Sequence, residues 1–147
     1  LEPQAPLPSE RIRALRDLSR EGIPVSVRID PIIPFVNDKP EKLVEKLANI
    51  GVRQITSSTY KVRPDNWRRF STAFPETAEK LKDLYFHQGE RIGGYTLLPK
   101  TLRQKLMKNL QELTNANGLK FGVCREGLSE LNTAACDGSW LIPSAKR

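Results

Sequence analysis

Short β-branched runs alternate with stripes of helical period along the first sixty residues. Ile12, Leu15 and Leu18 recur at helical spacing after Ser9, an N-cap residue type, with Glu10 in the first turn. Gly22 sits where a left-handed C-cap belongs, so the pattern predicts a helix over 9–20. Residues 23–29 read as a strand, because a proline at its start removes no ladder hydrogen bond. Asp30-Pro31-Ile32-Ile33-Pro34 ends it in a stiff loop, and Asn37 or Asp38 caps a second helix starting near Pro40. That helix carries Leu43, Val44, Leu47 and Ile50 on one face, Gly51 closes it, and residues 52–62 form a second strand. The order α-β-α-β is the signature of parallel βαβ units with right-handed crossovers.

The remainder reads as mostly helical. Residues 64–74 and 75–86 each begin with a proline near the first helical position. Residues 88–94 read as an open loop. Leu102, Leu106, Leu110 and Leu113 stripe a long helix over 100–116, residues 119–123 form a short third strand, and a loop-rich tail closes the chain. Three strands are fewer than a free-standing doubly wound sheet carries, and suit one sector of a barrel better. The chain is expected to be a single α/β domain, with βα units over 1–63, a helical segment over 64–117, and the last strand and closing tail over 118–147.

Composition narrows the chemistry. The 147 residues suffice for one core, and 38% hydrophobic with 28% charged residues places the chain among soluble globular proteins. No apolar run approaches the ~20 residues that cross a bilayer, so no membrane partner is expected; a cytoplasmic location is expected as well. One histidine, His87, and two cysteines, Cys124 and Cys136, leave no material for a Ser-His-Asp triad, a multi-histidine zinc site, a four-cysteine site or a disulfide scaffold. The net charge of +7 lies wholly within residues 51–110, which hold 12 Lys/Arg against 5 Asp/Glu. Such a segment either attracts a phosphate-rich partner or is simply a solvated basic face.

Leu1-Glu2-Pro3-Gln4-Ala5-Pro6, Arg11, Gly22-Ile23-Pro24-Val25, Pro31-Ile32-Ile33-Pro34 and Asn37-Asp38 follow one another in an order with a known counterpart. This series resembles the second half of the radical S-adenosylmethionine proteins related to spore photoproduct lyase, the DNA repair photolyase-like group. The close likeness covers about residues 1–60; beyond it stand element order and Cys136-Asp137-Gly138-Ser139. The resemblance implies the C-terminal half of a partial (βα)6 TIM-like barrel. It also implies an intact parent that uses S-adenosylmethionine and a 4Fe-4S cluster, the latter held by a Cys-x3-Cys-x2-Cys loop. The chain contains no such loop and opens on Leu1 rather than Met. The expectation is therefore a fragment that binds neither group alone and is not catalytic alone. Its partner would be the N-terminal half of the same parent, and damaged DNA is a candidate substrate for the radical chemistry. The alternative, from another class, is a non-catalytic basic α/β module that binds DNA or RNA through residues 51–110.

Ligands of parallel sheets gather at the carboxyl ends of the strands, which brings Asp30, Ile33 and Pro34 forward. The resemblance puts this loop beside the adenine and ribose of S-adenosylmethionine. Asp30 is then an acceptor for ribose hydroxyls, and Ile33 with Pro34 an apolar wall; by themselves these residues read equally well as a strand cap and stiffener. Arg11 is expected to pair with the methionine carboxylate of the cofactor, or else to be a surface arginine. Ser57, Thr59 and Lys61 are expected to face the barrel interior together with Ile55 as a polar channel. Lys61, Arg63, Arg68 and Arg69 surround Trp67, a grouping suited to a stacked base and its phosphate, or a surface cluster with Trp67 packed on Phe70 and Phe74. His87 reads as a local hydrogen-bonding residue, Gly93-Gly94-Tyr95 lacks the setting of a phosphate loop, and Trp140 with Leu141 and Ile142 reads as a plug that anchors the tail. Cys124 and Cys136 remain open between a disulfide, two ligands and two buried thiols.

Overall fold

A computed structural model describes residues 4–142; Leu1, Glu2 and Pro3, which open the run that carries the resemblance, lie outside the described residues. The elements follow as α1 (Pro8–Arg20), β1 (Ser26–Ile32), α2 (Glu41–Asn49), β2 (Gln54–Thr59), α3 (Pro64–Ala73), α4 (Pro75–Phe86), β3 (Glu90–Ile92), β4 (Tyr95–Leu97), α5 (Lys100–Ala116) and β5 (Lys120–Val123). Two short 3-10 turns, Ser129–Leu131 and Ser139–Leu141, belong to the tail. The fold is α/β, and β1, β2 and β5 form a parallel sheet in that order. The sheet is open: no barrel closes among the described residues. None of their helices is long and apolar enough to cross a membrane.

Strand register sorts the side chains onto two faces. Val27 pairs with Ile55 and Ile55 with Phe121, while Ile29 pairs with Ser57 and Ser57 with Val123. This face meets Val44 and Leu47 of α2, Met107 and Leu110 of α5, and Leu15 of α1 in one apolar core. The other face carries Ser26, Arg28 and Asp30 from β1, Gln54, Thr56 and Ser58 from β2, and Gly122 from β5. The tail lies over part of it. Gln54 Nε2 donates to the Ala135 carbonyl (2.8 Å), Thr56 Oγ1 donates to the Cys136 carbonyl (2.9 Å), and the Trp140 indole N–H donates to Gln54 Oε1. Gly122 is required there, because a Cβ on it would fall 2.7 Å from the Cα of Cys136.

A second core forms where the chain leaves β2. Ile33, Val62, Phe70, Ala78, Leu81, Tyr85 and Leu98 pack together, with Tyr60, Trp67 and Phe74 against them. Val62 exchanges both backbone hydrogen bonds with Thr96, at 2.8 and 2.9 Å, and so ties the β3–β4 hairpin to the extension of β2. Residues 88–94 are therefore not an open loop. Ile92 pairs with Tyr95 across a two-residue turn of Gly93 and Gly94, whose φ angles of 55° and 79° are the positive values that such hairpin turns demand.

Several element ends differ from the sequence pattern for identifiable reasons. α1 is capped by Leu7 rather than Ser9, because Pro8 starts the helix and Glu10 Oε2 accepts from the Leu7 N–H at 2.9 Å. Pro40, not Asn37 or Asp38, caps α2; the Asn37 side chain instead accepts from the Ile33 N–H (2.7 Å) and donates to the Pro31 carbonyl (3.0 Å). β1 sits three residues further along than the pattern placed it. Past a register shift after Ile29, Ile32 rejoins Thr59, so Pro31 and Ile32 belong to the strand. The buried stripe of α5 is Arg103, Met107, Leu110 and Thr114, turned from the predicted leucine stripe. Of those leucines, Leu102, Leu106 and Leu113 are half-buried at the margins of the two cores.

Candidate functional site

Three groupings of chemistry-bearing side chains stand on this frame. The first is at the carboxyl end of β1, on the polar face. Asp30 Oδ2 accepts from Arg28 Nη2 and Asp30 Oδ1 accepts from Ser58 Oγ, both at 2.6 Å. Residues two apart on a strand share a face, so Arg28 and Asp30 meet by register alone. The Arg28 pKa is raised, first by its hydrogen bond to Asp30 and then by one to Cys124. Asp30 is thus a held, partly exposed carboxylate at a strand mouth.

Its predicted companions are placed otherwise. Ile33 and Pro34 are buried, Ile33 within the second core, so they offer no open wall; the exposed apolar residues of that loop are Phe35 and Val36. Arg11 lines a cleft of about 320 Å³ together with Ile12, Val27, Arg28, Ile29 and Leu43, at the outer edge of β1. Ser57 and Thr59 do share the face of Ile55, but that is the helix-covered face. Ser57 Oγ donates to the Ile29 carbonyl at 2.6 Å, deep in the sheet. The β2 hydroxyls of the opposite face are Thr56 and Ser58.

The second grouping is a buried charge network at the carboxyl ends of β2 and β5. The Glu126 side chain is fully buried and Arg103 only 1% exposed. Glu126 Oε1 accepts from the Thr59 N–H (2.7 Å), Thr59 Oγ1 (3.0 Å) and Lys61 Nζ (2.7 Å). Arg103 donates to the Glu126 carbonyl, to the Leu98 carbonyl (2.8 Å) and to Glu90 Oε2 (2.7 Å). Two carboxylates and two cations balance, as buried charge requires. Lys61 and Thr59 therefore serve this network rather than a channel.

The third is a cleft of about 620 Å³ between α3, the end of α4 and the β3–β4 hairpin, lined by Arg63, Trp67, Phe86, Arg91 and Tyr95 among others. Trp67 is held by Phe70, Tyr85 and Phe86, with ring centroids 5.7, 5.8 and 5.1 Å away. The Arg63 guanidinium lies 4.2 Å from the Tyr95 ring centroid. Of the predicted basic cluster, Arg63 and Trp67 meet here. Arg69 pairs with Asp65 (2.8 Å), and Arg68 is exposed on α3 without lining the cleft. Sequence reasoning assigned no role to Phe86 or Arg91 and set Tyr95 aside with Gly93 and Gly94; Phe86 ends α4, and Arg91 and Tyr95 belong to the hairpin strands.

Smaller points fall into place. His87 Nδ1 is 2.8 Å from Asp83 Oδ1, one helical turn away, as a local hydrogen-bonding residue would be. Hydrogen bonds from His87 and Gln88 hold the Asp83 carboxyl below its usual range. Cys124 and Cys136 are free, half-buried thiols. Trp140 is no sealed plug, being 40% exposed while its N–H holds Gln54. Among the described residues no group of three or more His, Cys, Asp and Glu side chains could hold a metal ion. No family model, curated protein or solved structure matches the chain.

Proposed function

We propose that this chain forms the C-terminal part of a radical S-adenosylmethionine barrel of the photolyase-like group, giving cofactor-side and substrate-side walls to a cluster held elsewhere in the parent. The observation that carries the reading is an asymmetry between the two sheet edges. At β5 the tail satisfies the edge: Phe121 N–H donates to Thr133 Oγ1 (2.7 Å) and Val123 N–H to Asn132 Oδ1 (2.6 Å). At β1 no strand pairs with the outer side among the described residues, and the cleft lined by Ile12, Val27, Ile29 and Leu43, together with Arg11 and Arg28, opens beside it. Edges left unpaired in a finished sheet are normally blunted; on β1 the proline and the register shift fall only after Ile29, and Ser26 to Ile29 stay regular and unpaired on the outer side among the described residues. A preceding parallel strand and its helix fit both the edge and the cleft.

A polar inner face and a helix-covered outer face also suit a barrel sector, in which substrate and cofactor lie inside. Asp30 and Arg28 fit a ligand with hydroxyl and carboxylate groups. Ile33 and Pro34 do not face such a ligand, so the expected adenine wall has no support from them. A 4Fe-4S cluster does not fit on this chain itself, since its two cysteines fall short of the three thiolates required. In this reading the cluster, whose reduced form cleaves S-adenosylmethionine when bound, belongs to the preceding half.

The test is anaerobic expression of the uninterrupted gene. The reading expects a Cys-x3-Cys-x2-Cys motif before Leu1, with iron and sulfide in cluster stoichiometry. A gene product lacking the motif and holding no cluster overturns it. The basic-module alternative is favoured by one feature, the arginine-rimmed aromatic cleft.

A further inference from the structure

The arginine-rimmed cleft shares no lining residue with the cleft at the β1 edge, and differs from it in carrying three aromatic rings, Trp67, Phe86 and Tyr95. Its walls are aromatic and fixed. Trp67 is braced on three sides by other rings, so its exposed surface is presented without the entropy loss that a mobile side chain would suffer on binding. Its charge is of one sign: Arg63 and Arg91 line it, and no carboxylate does. Three nearby cations are committed elsewhere, Lys61 and Arg103 to Glu126 and Arg69 to Asp65. Arg91 is exposed and has no ion-pair partner among the described residues, and Arg63 meets the Tyr95 ring instead of an acid. A volume of about 620 Å³ falls within the range of small-ligand sites.

The geometry points to a nucleotide site: a base stacked against Trp67, Phe86 or Tyr95, with its phosphate met by Arg63 and Arg91. Planar rings stack on aromatic faces whatever the base, and guanidinium groups match phosphate in a fork geometry. A free nucleotide and one residue of a single strand offer the same chemistry. A duplex does not, because its base faces are closed within the stack.

The test uses the chain as it stands. It is titrated at low salt with a 5′-mononucleotide, a single-stranded oligonucleotide, a duplex of the same sequence and inorganic phosphate, following tryptophan emission and heat. Quenching by mononucleotide and strand alike assigns the free nucleotide as ligand; much tighter binding of the strand assigns the strand. For the strand, log affinity should fall with log salt by about 0.7 per phosphate contact, and Arg91→Ala should flatten that slope by about one contact. Arg91 is exposed and outside both cores, so this variant keeps the fold and is decisive. Trp67→Ala should weaken strand binding roughly five- to hundredfold, the worth of one stacked base, provided its melting curve shows a folded protein.

Equal binding of phosphate alone, duplex binding without quenching, or affinity untouched by Arg91→Ala overturns the assignment. No cluster or S-adenosylmethionine enters the titration, so its outcome is independent of the barrel reading.

Discussion

Glu126 receives hydrogen bonds from Thr59 and Lys61 and an ion-pair contact from Arg103, all on a carboxylate with no access to water. Glu126→Gln leaves two cations facing a neutral amide, one of them, Arg103, itself fully enclosed. Removing one partner of a buried pair costs about 3–5 kcal/mol, which should appear as a large drop in the urea midpoint; a change near zero would mean that the network does not form. Tyr60 gives a second test at this scale. Burial, and next the nearby Asp65 charge, push its phenol from 10.0 up to about 12, and its hydroxyl donates to Asn66 Oδ1 at 3.0 Å. Tyr85, more deeply buried, is pushed the same way and donates to the Tyr60 carbonyl. The folded protein thus keeps protons that the unfolded chain has already lost. Stability should hold below pH 10 and fall as the pH rises towards 12, and Tyr60→Phe should make that fall shallower in alkaline denaturation. Little of the Glu126 network was legible in the sequence. Arg125-Glu126-Gly127 has the look of any polar turn, and Arg103 enters the core only because a carboxylate 23 residues away awaits it.

At the scale of elements, prolines and glycines carried most of the legible signal. Pro64 and Pro75 start α3 and α4 at the places the pattern gave, and Gly51 follows Ile50, the C-cap of α2. The hairpin escaped notice because β3 and β4 have three residues each, too short for alternation to show against two glycines. The face of β2 was misassigned for a different reason. All six of its residues are buried, so burial patterning cannot tell the helix side from the tail side. The tail contact itself can be tested at Gly122. Gly122→Ala puts a methyl group against backbone at Cys136, and overpacking of this kind costs about 1–3 kcal/mol. The tail should lift, shifting Trp140 emission in a Trp67→Phe background; unchanged emission with an unchanged melting temperature would show that the tail does not lie on β5.

For the molecule as a whole, the unequal sheet edges make a prediction about exchange. The Phe121 and Val123 amides, held by Thr133 and Asn132, should resist hydrogen exchange, while the outward amides of Ser26 to Asp30 should exchange quickly in the isolated chain. Uniform protection across β1 would mean that its edge is already occupied. The sequence made the α/β class and the parallel order legible through the α-β-α-β opening, whereas the open or closed state of a sheet has no local signal, because it depends on pairing between strands far apart in the chain.

In the proposed barrel, Asp30, at the mouth of β1, faces S-adenosylmethionine. The direct measurement is calorimetric titration of S-adenosylmethionine into the anaerobically reconstituted product of the uninterrupted gene, wild type against Asp30→Ala. Loss of one hydrogen bond to a charged acceptor, about 1.5–3 kcal/mol, should weaken binding roughly ten- to hundredfold with iron content unchanged. Equal affinity in the two proteins would contradict the account.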